Sequence, residues 1–236
     1  MRVIVVRHHE EDSAGFIAEA FQARGAEISV HLFPDHGPLP PLDGVDHVIV
    51  LGAIPSVYDA GHASWIEAEL DWLRRADRQG VPVLGICFGA QALCAVFGGK
   101  VVAAERKEIG WKTISSLDEA MVPAGPWLLF HGDRCEPPAS ATILASNEVG
   151  VQAFAIGRHL AVQFHPEVDG AQLALWLDAG GRREIEAADQ DPDAVLAETF
   201  AEELAARARA DQLVATALRL ALPAGAPVMA QSPPLT

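Results

Sequence analysis

Four short strand-like runs, separated by helical patterns, constrain the fold more than any other feature. The runs are VIVV (3–6), AEISVHLF (26–33), HVIVLG (47–52) and VPVLGI (81–86), and helical spacing lies between the first pair and between the last pair. Strands joined through crossover helices pair in parallel, and the helices cover both faces of the sheet. The sequence therefore predicts an α/β fold with a mostly parallel sheet.

Beyond about residue 100 the pattern changes to short strands joined by tight turns, which predicts an antiparallel extension of the sheet. Helical spacing returns at GAQLALWLDAG (170–180), so we predict one α/β domain over residues 1–180. Residues 181–222 form an acidic C-terminal helical extension, with Asp191 and Pro192 as a helix start. We expect the apolar stripe of this helix to be buried against the domain; it comprises Leu196, Phe200 and Leu204. Residues 223–236 are predicted to be disordered.

Charge and cysteine usage limit the function classes. The chain has 17 Lys and Arg against 32 Asp and Glu, a formal charge of −15, which disfavours nucleic acid or an anionic membrane as partner. No run reaches the roughly 18–20 apolar residues of a membrane span. The three cysteines are odd in number and lack CxxC spacing, so we expect free thiols and a cytoplasmic location.

The segment GICFGAQ (85–91) places Cys87 between two glycines where a strand turns into a helix. This is the spacing of a nucleophile elbow, with cysteine in place of serine. The first turn of a helix favours a thiolate, and the amide of Phe88 faces the position where an oxyanion would develop. Gln91 lies on the same helix face as Cys87 and is a candidate for substrate binding. A buried cysteine at a tight turn is the structural alternative.

A cysteine nucleophile needs a base, and nine histidines are available. In LAVQFHPEV, His165 follows an apolar strand run at the sheet edge that binds ligands in α/β proteins, and Glu167 lies two residues on. A carboxylate that orients an imidazole completes a triad. Most of the other histidines have a structural interpretation: His8 and His9 end a strand, and we expect solvent contacts for those in or beside loops, which are His31, His36, His47 and His62.

A third segment, VIVLGAIPSVYD (48–59), follows a buried strand and turns tightly at Gly52 and Ala53. This loop is a candidate source of a second oxyanion amide. An ordinary strand-to-loop turn is the alternative for this segment alone.

Together, LGAIPSVYD, GICFGAQ and QFHPE resemble, in this order, the class I glutamine amidotransferases, and in particular stand-alone GMP-synthase-like glutaminase domains. The resemblance covers about residues 3–180 and implies a three-layer sandwich with a flavodoxin-like sheet. KEIGWKTI (107–114) is similar to a stretch beside the family's glutamine pocket. FHGDRCEPP (130–138) is similar to a loop that encloses it, which implies substrate contacts for His131, Gly132 and Asp133. The usual GGP reads Gly52-Ala53-Ile54 here, and a methyl at that second position can alter the oxyanion hole.

The resemblance implies that a Cys87–His165–Glu167 triad hydrolyses the γ-carboxamide of glutamine to glutamate and ammonia through a γ-glutamyl thioester. It implies no metal and no cofactor. Because the chain contains no GxxxxGK[ST] phosphate loop, a separate ATP-dependent synthetase subunit is the expected partner for ammonia transfer. Two alternatives stay open: a γ-glutamyl peptidase or hydrolase acting on γ-glutamyl amides or peptides, and an inactive binding or regulatory module.

Overall fold

A computed structural model describes residues 1–222. The segment predicted to be disordered, 223–236, lies outside the described residues. The N-terminal half alternates strands and helices: β1 (Arg2–Arg7), α1 (Gly15–Gln22), β2 (Glu27–Leu32), β3 (His47–Val50), α2 (Ala63–Gln79), β4 (Val83–Ile86) and α3 (Phe88–Val96). A 3₁₀ turn (Ala60–His62) precedes α2.

The second half begins with β5 (Lys100–Lys112), β6 (Ser115–Ser116), β7 (Trp127–Glu136), β8 (Thr142–Ser146), β9 (Val151–Ile156) and β10 (His159–Val162). It ends with α4 (Gly170–Trp176), a π-helical segment (Leu177–Gly181), α5 (Arg182–Glu186) and α6 (Pro192–Ala221). The sheet runs in the order β2-β1-β3-β4-β10-β9-β7-β5, with β8 beside β9 and β6 beside β8.

The first five strands of that order pair in parallel, and the strands beyond β10 pair antiparallel. The predicted α/β class, flavodoxin-like parallel sheet and antiparallel extension are therefore confirmed. The parallel strands β3 and β4 are buried along their whole length, as continuous apolar runs require when helices cover both faces.

Helices form a layer on each side of the sheet. On one face α1 packs through Phe16 and Ile17 beside α6, and on the other α2 and α3 pack through Trp72 and Leu93. Since α6 shares a hydrophobic core with α1, the extension supplies part of one helical layer. The domain boundary at residue 180 stays a prediction.

The predicted apolar stripe of α6 is wrong at two of its three residues; only Leu196 is partly buried, against a core cluster that includes Val195. Phe200 and Leu204 are 55% and 84% exposed, respectively. The buried face carries smaller or more distal residues instead: Val195, Thr199, Ala206, Ala210, Leu213, Val214 and Ala217. Ala206, Ala210 and Ala217 lie with Leu213 and Val214 on the face that shares a core with α1, and Phe200 and Leu204 lie outside this face.

The expected solvent contact of His47 is also wrong. This residue begins β3, is 1% exposed and packs its ring against Phe21 with centroids 5.0 Å apart. Neither ring nitrogen has a hydrogen-bond partner among the described residues. Burial lowers the pKa of His47 to about 3, so the ring is neutral in the folded protein.

Candidate active site

Cys87 occupies the turn between β4 and α3 with φ 53° and ψ −105°. A positive φ is costly for a residue with a side chain and is often retained at functional turns. The Cys87 amide donates to the Val162 carbonyl of β10 at 2.8 Å, which fixes the turn on the sheet. A Cβ at Gly85 would lie 2.4 Å from the Gly89 carbonyl oxygen, and one at Gly89 2.3 Å from the Val50 carbonyl oxygen. The two glycines are therefore required by close backbone contacts.

His165 and Glu167 lie just beyond β10, next to the strand that leads to Cys87. The His165 amide donates to the Leu128 carbonyl of β7 at 2.8 Å. Nδ1 of His165 lies 2.7 Å from Oε1 of Glu167, and both side chains are buried. The Glu167 carbonyl accepts from the Phe16 amide at 3.1 Å, which ties this segment to α1. The imidazole is thus held from its Nδ1 side, and Nε2 remains available for chemistry.

Gly52 brings the third segment against this pair. A Cβ built on Gly52 would lie 3.2 Å from Cε1 of His165, 3.7 Å from Cβ of Cys87 and 4.0 Å from its Sγ. The structure therefore places Cys87 and His165 on either side of the same small space, with Gly52 at its wall. Only a residue without a side chain leaves this space open.

The electrostatics of the pair favour a charged imidazole. Burial opposes a positive charge on His165, but the charges of Glu167 and Cys87, and hydrogen bonds with both, raise its pKa well above the ordinary value. The ring therefore holds its proton more readily than an ordinary histidine. A histidine beside a cysteine sulfur is the arrangement in which cysteine acts as a nucleophile.

The predicted oxyanion groups belong to the residues that follow Cys87 and Gly52 in the chain. The Phe88 amide is at the first position of α3, and Ala53 follows Gly52 in the loop after β3. Within residues 1–222 neither the Phe88 nor the Ala53 amide donates a backbone or side-chain hydrogen bond. Two free N–H groups near a nucleophile are the arrangement expected of an oxyanion hole.

Comparisons with known proteins identify the family. The profile of a family described as "Glutamine amidotransferase class-I" matches residues 13–174. The chain belongs to this family. A curated relative, GMP synthase [glutamine-hydrolyzing] of Allorhizobium ampelinum, is 32% identical over 142 residues, or 53% of this chain and 26% of the relative. The chain thus spans about a quarter of the length of that relative.

Solved structures extend the likeness to nearly the whole chain. A glutamine amidotransferase from Thermotoga maritima superposes with a TM-score of 0.83 at 25% identity, covering 94% of this chain and 98% of the other. A glutamine amido transferase from Methylobacillus flagellatus gives a TM-score of 0.81 at 20% identity, over 93% and 94% of the two chains, which supports the fold. The antiparallel extension and the C-terminal helices fall within these superpositions.

The remaining candidate substrate-binding residues lie on α3 and β7. Gln91 is buried, and its Nε2 lies 3.5 Å from Oε1 of Gln163. His131 is buried in β7, and its Nδ1 lies 3.0 Å from the Asp133 carbonyl oxygen. Gly132, between His131 and Asp133 in the sequence, faces the Lys107 side chain. Their role in binding substrate stays a prediction.

Asp133 connects β7 to the loop that follows Ala53. Its two carboxylate oxygens accept from the Ser56 hydroxyl at 2.5 Å and from the Tyr58 hydroxyl at 2.7 Å. The hydrogen bond with Asp133 raises the pKa of Tyr58. The loop that carries the candidate oxyanion amide is therefore anchored at its far end, and Asp133 has both oxygens engaged by the protein.

A buried polar group behind His131 was only partly anticipated from the sequence. Glu108 accepts from Asn147 and Gln152, both at 2.8 Å, and Nε2 of His131 lies 3.5 Å from it. Burial raises the pKa of Glu108 and lowers that of His131 to about 4. The KEIGW segment indicates this region, but the partners of Glu108 lie on β9 and on the turn before it.

Trp176 and Asp12 are site residues that sequence reasoning missed. The Trp176 ring meets the His165 ring edge-on, with centroids 5.0 Å apart, and its Nε1 donates to Asp12 at 3.0 Å. Burial raises the pKa of Asp12, and the nearby Glu167 charge adds to this effect. Trp176 covers the base, but in the sequence it reads as an ordinary apolar position of α4.

Residues 1–222 contain no group of three or more His, Cys, Asp or Glu side chains placed to hold a metal ion. Over the same range, no helix has both the length and the apolar character needed to cross a membrane.

Proposed function

We propose that this class I glutamine amidotransferase domain hydrolyses the γ-carboxamide of glutamine, with Cys87 as nucleophile, His165 as general acid and base, and Glu167 as the group that orients His165. The observation that carries the proposal is the constrained Cys87 turn beside an imidazole held at 2.7 Å by Glu167. Nucleophile, base and orienting carboxylate are the three roles that acyl transfer requires.

The first half-reaction forms a thioester. The Cys87 thiolate attacks the side-chain carbonyl carbon of glutamine, and the carbonyl oxygen becomes an oxyanion that accepts from the Phe88 and Ala53 amides. The protonated Nε2 of His165 donates its proton to the departing nitrogen. The carbon–nitrogen bond breaks, ammonia leaves, and the γ-glutamyl group remains on sulfur.

The second half-reaction regenerates the enzyme. The now neutral His165 accepts a proton from water, which attacks the thioester carbonyl, again with the oxyanion held by the two amides. The carbon–sulfur bond breaks, glutamate leaves, and the Cys87 thiolate and the His165 imidazolium are restored. The high pKa of His165 supports this cycle, because the ring must hold a proton when ammonia departs.

We further propose that the ammonia passes to an ATP-dependent synthetase on a separate subunit. The similar proteins named GMP synthase [glutamine-hydrolyzing] are about four times as long as the matched region, which supports a division of the two activities. Three free cysteines support a reducing, cytoplasmic location for the protein.

Release of glutamate and ammonia by the purified protein from L-glutamine tests the proposal, with a panel of γ-glutamyl amides and peptides as the second arm. Cys87→Ala should abolish turnover of glutamine, whereas Cys94→Ala, at a buried cysteine on the same helix, should retain it. Faster turnover of γ-glutamyl peptides than of glutamine would instead identify a γ-glutamyl hydrolase. Absence of turnover in both arms would indicate a binding or regulatory module.

A further inference from the structure

A second buried histidine–carboxylate pair lies beside the oxyanion loop. His8, immediately after β1, is 8% exposed, and Glu69 of α2 is fully buried. Nε2 of His8 lies 2.9 Å from Oε2 of Glu69, and Nδ1 lies 2.8 Å from the carbonyl oxygen of Gly52. Since both ring nitrogens face acceptors, both carry a proton when Glu69 is ionised, and His8 is then an imidazolium.

The surroundings make this pair costly to retain for packing alone. The His8 ring packs against the rings of Phe88 and Trp65, with centroids 5.0 Å and 5.4 Å away. The second oxygen of Glu69 has no hydrogen-bond partner within the described residues. A buried ion pair in such surroundings is often no more stabilising than apolar side chains of the same volume. Stability alone therefore does not account for the His8–Glu69 pair, and the group that His8 contacts suggests its role.

The group that it holds is the carbonyl of the Gly52–Ala53 peptide. This peptide is trans, so its carbonyl and its N–H point in opposite directions. The bond from His8 Nδ1 to the Gly52 oxygen thus sets the rotation of the peptide plane, with the Ala53 N–H on the side away from His8. A rotated peptide would present a carbonyl oxygen where an oxyanion needs a donor.

We propose that His8 and Glu69 are positioning residues for the reaction: the pair fixes the Gly52 carbonyl and thereby keeps the Ala53 N–H directed at the oxyanion of the bound carboxamide. This inference rests on the proposed glutamine hydrolysis. Burial works against a charge on His8, but Glu69 and the Gly52 carbonyl raise its pKa above the ordinary value, in agreement with a cationic donor. The loop has Ala53 where the family has a second glycine, and the His8–Glu69 pair fixes the Gly52–Ala53 peptide from outside the loop.

Three substitutions at His8 separate its two hydrogen bonds. The side-chain amide of His8→Asn reaches about as far as Nδ1 and can still donate to Gly52, whereas that of His8→Gln reaches about as far as Nε2 and meets Glu69 instead. His8→Leu removes both bonds. We expect His8→Leu and His8→Gln to lower kcat for L-glutamine by roughly a hundredfold, the typical loss of one oxyanion donor, with KM changed only a few-fold. His8→Asn should recover most of the activity.

The rate at which iodoacetamide alkylates Cys87 distinguishes a positioning role from a purely structural one. If His8 only supported the structure of the site, its loss would change this rate as well. Displacement of iodide from carbon forms no oxyanion, so its rate should be nearly the same in all three variants and the wild type. The matched control is His159→Leu. His159 is also buried and within hydrogen-bond distance of a carboxylate, Asp77 at 3.1 Å, but it lies at the amino end of β10, whereas His8 follows the carboxyl end of β1. It should lower the melting temperature and leave kcat unchanged.

The outcomes distinguish this inference from the proposed function. Wild-type protein that hydrolyses glutamine, together with equal kcat in His8→Asn and His8→Gln, would overturn the positioning role alone. Parallel loss of alkylation and hydrolysis would show that His8 supports the whole site. If His8→Leu does not fold, the two amide variants decide. Wild-type protein without turnover would overturn the proposed function, and the positioning role with it.

Discussion

Gly52→Ala adds one methyl group to the wall of the candidate site, and its effect can be derived from distances. The new Cβ would lie 3.2 Å from Cε1 of His165, closer than the roughly 3.5–4.0 Å of a relaxed carbon contact. Gly52 has no positive φ, so the backbone accepts alanine. The close contact therefore displaces His165. Because Glu167 holds Nδ1 at 2.7 Å, the ring must pivot about this hydrogen bond, which moves Cε1 by a few tenths of an ångström.

Such a rotation moves the Nε2 end of the ring, which handles the proton. A misplacement of about 1 Å costs on the order of a hundredfold in rate, so a few tenths predicts a three- to tenfold loss from geometry alone. The methyl also occupies space that the substrate carbonyl must enter, 4.0 Å from Sγ of Cys87. We therefore expect kcat/KM for glutamine to fall at least tenfold, or about 1.4 kcal/mol of transition-state stabilisation.

Steady-state hydrolysis of L-glutamine, with thermal melting to verify the fold, measures this effect. The matched control is Gly61→Ala, in the exposed 3₁₀ turn before α2, where a Cβ would also meet an atom at 3.2 Å, the carboxylate oxygen of Asp59. The half-buried Asp59 carboxylate, which accepts from the Gly61 amide at 2.7 Å, must shift slightly, but it has no part in the proposed chemistry, so this variant should keep wild-type activity. Gly52→Ala turnover within twofold of wild type would refute the placement of the reacting carbonyl between Cys87, His165 and Gly52.

Two further predictions concern pH. Because Glu167 raises the pKa of His165, Glu167→Gln should lower that pKa and shift the alkaline limb of the kcat/KM profile for glutamine to lower pH; an unmoved limb would contradict the role of the carboxylate. The pKa of His47 falls from 6.5 unfolded to about 3 folded, so the unfolded chain binds a proton that the folded one excludes. Stability should therefore fall as pH drops from about 6.5 towards 3, and His47→Phe should lose less melting temperature than wild type between pH 7 and pH 5. Equal losses would contradict this account.

The sequence predicts the parallel half of the sheet well because its strands are buried on both faces. Runs such as those of β3 and β4 leave no alternative to a covered sheet, and the helices between them carry clear apolar spacing. The buried face of α6 could not be predicted from its apolar spacing. Its packed face includes alanines and threonines, which also occur on exposed helix surfaces, whereas two of its large apolar side chains, Phe200 and Leu204, are left exposed.

The residues of the candidate site also differ in how well the sequence predicts them. Cys87, His165 and Gly52 are recognisable because each lies in a local motif, where neighbours in sequence are also neighbours in space. Trp176 contacts Asp12 across 164 residues, and Glu69 contacts His8 across 61. Glu69 also lies in an amphipathic helix rich in charged residues, where a carboxylate reads as a solvated position until the fold shows it buried.

Three buried carboxylates of the site each face a histidine, and the three pairs differ in a way that bears on the proposed reaction. Glu167 and Glu69 lie 2.7 Å and 2.9 Å from His165 and His8, and both rings have raised pKa values. Glu108 lies 3.5 Å from His131 and already accepts two amide hydrogen bonds; the pKa of that ring falls to about 4.

The two cationic rings both follow parallel strands, β1 and β10, at the carboxyl edge where Cys87 also lies. Each ring is paired with a buried carboxylate, so each pair is neutral overall, but the imidazoles are the members that face the site: Nδ1 of His8 meets the Gly52 carbonyl, and His165 interacts with Cys87. Attack by a thiolate on a carboxamide transfers negative charge onto the carbonyl oxygen, and fixed cations near that oxygen stabilise the transition state more than the neutral substrate. The proposed reaction uses the His165 and His8 rings, whose pKa values are raised, whereas burial lowers the pKa of His131 to about 4 and leaves that ring neutral.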